Sequence, residues 1–128
     1  MSTHLAIFVG DAIELILTGK KTVDARLTQS ATIPYQKVMS GDMVLMKQSS
    51  GGVVGQFEVE NVLYFQNLNE ESVHDIKKKY GAKIKMNEAF WNLKWGAKYG
   101  TLIFIKHPQR LVSSLPYHKK DRRSWVVL

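Results

Sequence analysis

Gly19-Lys20-Lys21-Thr22-Val23-Asp24-Ala25-Arg26 places three cations and a carboxylate within seven consecutive positions. The run falls where a short apolar helix hands over to a strand. Residues two apart on a strand share a face, so Thr22, Asp24 and Arg26 are expected to project together, with Lys20 and Lys21 at the strand's start. Mixed charge on an otherwise apolar element suits the wall of a cleft for a polar or anionic ligand. A lysine there binds phosphate as a point charge or, once desolvated, loses its proton and serves as a base. Lys21 is the foremost candidate for either role, with Asp24 orienting Lys21 or Arg26. The competing reading is an exposed Lys-Lys turn beside an Asp24–Arg26 ion pair of purely structural value.

Two further stretches carry cations beside aromatic rings, a combination that stacks bases and grips phosphates. In the first, Phe90, Trp91, Trp95 and Tyr99 alternate with Lys94 and Lys98. Phe90 and Trp91 are expected to pack onto the body of the fold with both lysines in solvent, and Trp95 stays open as a stacking residue. In the second, Tyr117 and Trp125 flank Lys119, Lys120, Arg122 and Arg123. This basic arm is a nucleic-acid candidate, and its plainer reading is a solvated linker before a final strand. The four histidines, His4, His74, His107 and His118, lack helical metal-site spacing, and there is no cysteine. No metal or other cofactor is expected. No Gly-x-Ser-x-Gly elbow occurs, and Gly51, Gly52 and Gly55 read as hairpin glycines.

The elements that must position these residues follow from pattern. His4–Val9 is a buried strand. Asp11 with Glu14 makes a capping-box start for a helix over 11–18 whose apolar face is Ile13, Ile16 and Leu17, and Gly19 ends it. Strands are expected over 23–27 and 43–47, and over 53–65 after the Gln48–Gly52 turn. Residues 29–40, with Pro34, read as a loop forming the lid or rim of a pocket. Asn69 caps a helix over 70–80, in which Glu70 and Glu71 come first and Lys77, Lys78 and Lys79 last, as the helix dipole favours. Asn87 caps a short helix through Lys94. A strand over 99–107 ends at Pro108, and a last one covers 125–128. Hairpin-linked strands with inserted helices predict an α+β fold, a small, partly open β-barrel.

With 128 residues and 45% hydrophobic content the chain is expected to form one domain, with 110–128 a basic C-terminal extension. The net charge of +7 is lopsided. Residues 1–97 carry 11 basic against 10 acidic side chains, and residues 98–128 carry 7 against 1. Such a segment favours an anionic partner, nucleic acid foremost. No apolar run is long enough to span a membrane. Met1-Ser2-Thr3-His4 lacks the pattern of a secretory leader, and with no cysteines the expected location is cytoplasmic. Nothing in the sequence fixes an oligomeric state.

On the Gly19–Arg26 run, the Gly41-Asp42 pair opening the next strand, and the hairpin running into a helix over Val53–Tyr80, the chain resembles the ASCH domain family of the PUA-like superfamily. The family run is Gly-x-Lys-x-x-Glu-x-Arg, with Asp24 here in the Glu position. The resemblance covers roughly residues 5–107. It implies RNA binding, or, on the same cleft, a metal-independent ribonuclease or an N4-acetylcytidine amidohydrolase. Lys21 matches the signature lysine that those enzymes also use. The amidohydrolase pattern has a threonine at the position of Asp24, and its downstream glutamate falls in Val73-His74-Asp75-Ile76, where Asp75 is the available carboxylate. The expected partner is RNA or a nucleoside, and the question of catalysis stays open. An interaction module whose cleft is shut by an Asp24–Arg26 pair is the third reading.

Overall fold

The computed structural model describes residues 1–117 and 122–128. The order is β1 (Thr3–Phe8), α1 (Ala12–Leu17), β2 (Val23–Thr28), β3 (Met43–Gln48), β4 (Val53–Phe65), α2 (Glu70–Ile84), α3 (Glu88–Asn92), β5 (Tyr99–Leu115) and β6 (Trp125–Val127). All six strands join one mixed sheet in the order β2-β5-β4-β3-β1-β6. It curls into the half-barrel expected of a small, partly open PUA-like fold. Only β1 and β3 run parallel, with Leu5 opposite Leu45; the other pairs are antiparallel.

Period-two alternation divides the buried residues between two cores. Ile103 and Ile105 of β5 face one core, with Phe57 and Val59 of β4, Ala6 and Phe8 of β1, Ile13 and Ile16 of α1, and Trp125 of β6. Leu102 faces the other, with Val23, Ala25 and Leu27 of β2, Val73, Ile76 and Ile84 of α2, and Trp91 of α3. β2 turns its apolar side to the helical core and carries Asp24 and Arg26 on its reverse side.

Three expectations need correction. Asp11 precedes α1, but its side chain makes no capping bond. Asn69 and Asn87 do cap, accepting from Ser72 N–H at 2.8 Å and Phe90 N–H at 3.0 Å. α2 continues past Gly81 to Ile84, because Ile84 is fully buried and prolongs the Val73–Ile76 face. Lys77, Lys78 and Lys79 therefore lie mid-helix, and the dipole argument applies to Lys83 instead. Finally, Pro108 does not end β5. Gln56 pairs with Gln109 and Glu58 with Lys106, so three steps on β5 oppose two on β4. Pro108 sits in that bulge beside His107, whose φ is 52°. A bulge is where a strand tolerates a residue without an N–H.

Candidate functional site

The turn after α1 delivers Lys21 inward. Gly19 takes φ +78°, and the backbone N–H groups of Lys20 and Lys21 both reach Leu15 O. Lys21 is only 2% exposed. Its Nζ donates to Ile84 O at 2.5 Å and lies 4.0 Å from Asp24 Oδ1. Burial pulls its pKa below the usual lysine value; Asp24 opposes the shift and Arg26 adds to it. Asp24, also buried, uses its other oxygen to accept Arg26 Nε–H at 2.8 Å. Arg26 Nη2 donates to Ile7 O at 3.1 Å, and the guanidinium carbon lies 5.0 Å from the Phe8 ring and 5.1 Å from that of Trp125. One carboxylate thus links two cations on the floor of a cleft.

The cleft holds about 380 Å³, within the range of small-ligand sites. Phe8, Ile33, Pro34, Phe90 and Leu93 supply apolar walls, while Thr28, Thr32, Lys94 and Ser124 bring polar groups to the same hollow. The 29–40 loop forms one wall, as a fixed rim. Tyr64 Oη bonds both Val38 N–H (2.7 Å) and Val38 O (2.5 Å), and Tyr35 packs edge-on against Tyr64 and Tyr99. A neighbouring hollow lined by Gln29 and Ser30 shares Leu93 and Lys94 with the cleft.

Lys21, Asp24 and Arg26 come together as the signature spacing predicts. Thr22 does not join them: it is exposed, precedes β2, and is absent from the cleft wall. Lys20 is exposed and is not among the residues that line the hollow. Asp75 lines a different hollow with Phe65 and Tyr80, away from Lys21. Trp95 also lies outside the cleft wall. His74 stacks on it at 3.9 Å, Trp91 lies 6.2 Å away, and Lys77 Nζ is 5.7 Å from its ring. Lys119 and Lys120 lie outside the described residues. Arg122 and Arg123 are exposed and lead directly to Ser124, a cleft residue.

Lys94, expected in solvent, is half-buried and lines the cleft, while Phe90 packs against the helical core as expected and also lines the cleft. Their i, i+4 spacing was the available signal, and Lys94 Nζ sits 5.6 Å from the Phe90 ring. Burial lowers the Lys94 pKa, with Arg26 adding to the effect. Trp125 carried no comparable signal, because only the pairing of β6 with β1 brings it to Arg26. Among the described residues, no group of three or more His, Cys, Asp or Glu could hold a metal ion. No helix there is long and apolar enough to cross a membrane.

No family model matches the chain, and no curated protein matches it. Solved structures do. The ASCH protein of Zymomonas mobilis superposes with TM-score 0.65 and 15% identity over 85% of this chain and 70% of that one. A serine-to-alanine variant of it gives TM-score 0.76 at 14% identity, over 99% and 88% of the two chains. A tyrosine-to-phenylalanine variant gives 0.75 at 14%, over 100% and 91%. The fold is thus that of an ASCH domain.

Proposed function

We propose that this chain is a single ASCH-type domain that binds RNA in the cytoplasm, seating a base or nucleoside in the cleft built on Lys21, Asp24 and Arg26. The observation that carries the reading is the meeting of three cations, Lys21, Arg26 and Lys94, with one carboxylate inside an apolar-walled hollow. A nucleobase has two apolar faces and a polar edge. Phe8, Phe90, Ile33 and Leu93 suit the faces; the Arg26 fork and the Thr32 and Ser124 hydroxyls suit the edge. Lys94 extends positive charge to the adjoining hollow, where a flanking phosphate would lie. The basic residues before Ser124, Lys119 and Lys120 among them, would add contacts outside the cleft and make binding fall with added salt.

A second reading, catalysis on the same cleft, is favoured by one observation. Burial makes Lys21 easier to deprotonate, and a lysine that gives up its proton beside a carboxylate is a candidate general base. A metal-independent ribonuclease would use it against a ribose hydroxyl, with Arg26 or Lys94 balancing charge on the phosphate. The amidohydrolase reading has less support, since Thr22 and Asp75 both lie off the cleft wall.

Binding of a labelled single-stranded RNA, followed at rising salt with and without Arg26→Ala, tests the first reading. Equal affinity in both proteins removes the cleft from it. Incubating the same RNA in EDTA, and N4-acetylcytidine separately, tests the second: intact RNA and no released cytidine count against catalysis.

A further inference from the structure

The ligand contacts proposed for the cleft leave unused a buried polar chain that ends against Arg26, one of its lining residues. His4 and Trp125 are fully buried, and Asp42 is 2% exposed. Asp42 Oδ1 accepts Ser2 N–H at 3.0 Å. Its Oδ2 accepts Met39 N–H at 3.0 Å and meets His4 Nε2 at 2.8 Å. On the far side of the imidazole, Trp125 Nε1–H donates to His4 Nδ1 at 3.0 Å. An indole N–H only donates, so Nδ1 carries no proton and Nε2 carries the ring's single one, directed at Asp42. The tautomer is therefore set by the chain itself.

The indole held in this way lies against the guanidinium of Arg26, 5.1 Å from its carbon. It stands on β6, a three-residue strand at the edge of the sheet with β1 as its partner. Core packing encloses the indole, and the hydrogen bond to His4 Nδ1 sets which edge of it turns to the imidazole. An apolar residue at position 4 would fill the same space without orienting the indole. We propose that Asp42, His4 and Trp125 form a positioning chain for Arg26. The carboxylate fixes the imidazole, the imidazole fixes the plane of the indole, and the indole holds the guanidinium in the attitude in which it meets the ligand. The effect on ligand rests on the cleft reading above; the effect on Arg26 itself does not.

Two readouts on the full chain test this. One is NMR exchange of Arg26 Nε–H with solvent in the free protein; the other is affinity for a short fluorescein-labelled single-stranded RNA. His4→Leu is expected to speed exchange about fivefold or more and to weaken RNA binding about tenfold. His4→Gln, whose amide accepts from the indole and donates to Asp42, is expected to restore both to within about threefold of the original. Trp125→Phe keeps a ring but removes the N–H. It is expected to behave like His4→Leu, and it decides the matter if His4→Leu does not fold. Unchanged Arg26 exchange in a folded His4→Leu or Trp125→Phe protein overturns the chain. So does a Gln variant no better than the Leu variant, because filling space would then be the whole role of His4. If the unsubstituted protein binds no RNA while Arg26 exchange still follows the series, the positioning chain stands and the RNA reading falls.

Discussion

Two regions of this molecule are built from the same ingredients, lysine beside aromatic rings, and only one of them forms a hollow. On the outer face of α2 and α3, Lys77 Nζ meets Glu88 at 2.8 and 2.9 Å, and Trp95 stacks with His74. Charges and rings there satisfy one another in the open. In the cleft, Lys21 and Arg26 share one carboxylate, Lys94 lines the same hollow, and the rings of Phe8 and Phe90 line an open cavity. Interleaved basic and aromatic residues are thus a weak guide to a binding site. What separates the two regions is concavity, together with positive charge exceeding the local negative charge.

The sharpest way to break this contrast is Arg26→Ala. Removing a charge-assisted, ring-packed fork from the cleft should lower affinity for single-stranded RNA by about thirtyfold or more in a fluorescence titration. Arg26→Lys should recover little of it, since an ammonium lacks the planar fork.

Lys21→Met is next, with an expected loss of about tenfold in the same titration. Its effect on stability should run the other way. The folded-state pKa of Lys21 lies below its unfolded value near 10.5, so the folded protein binds fewer protons in that window. Stability should then rise with pH from the folded pKa up to about 10.5, as the cost of a buried charge disappears. Denaturant unfolding at several pH values should show this rise in the unsubstituted protein and its loss in Lys21→Met. The variant itself should unfold within about 1 kcal/mol of the original at neutral pH, or above it.

The outer face should respond in the opposite sense. Trp95→Ala removes the stack on His74 and should cost about 1 kcal/mol of stability, while RNA affinity falls no more than about threefold. A thirtyfold loss there would make the outer face part of the binding surface. The smallest effect belongs to Lys77→Ala. Its surface ion pair should contribute under about 0.5 kcal/mol, with no change in RNA affinity.

The sequence made the strands and helices legible because alternation and capping are local. Asn69 and Asn87 announced helix starts, and the alternation that groups Asp24 with Arg26 announced the polar side of β2. The Lys21–Asp24–Arg26 group was legible for the same reason, being carried on one turn and one strand. What stayed hidden depends on pairing across the sheet. Pro108 looked like a terminus because the β4 segment opposite its bulge, Gln56 to Glu58, lies some fifty positions away. Trp125 looked like part of a tail because its contact with Arg26 exists only once β6 has docked on β1. Lys94 looked exposed because the loop carrying Ile33 and Pro34 forms the opposite wall of the cleft. In each case the deciding neighbour is distant in the chain.

The rings that pack against Arg26 stand at positions 8 and 125, and this has a consequence for biosynthesis. A growing polypeptide on the ribosome can lay down most of the sheet while still lacking one of the two surfaces that grip the guanidinium. On the cleft reading, a nascent chain is expected to hold ligand poorly until position 125 has emerged and docked on β1.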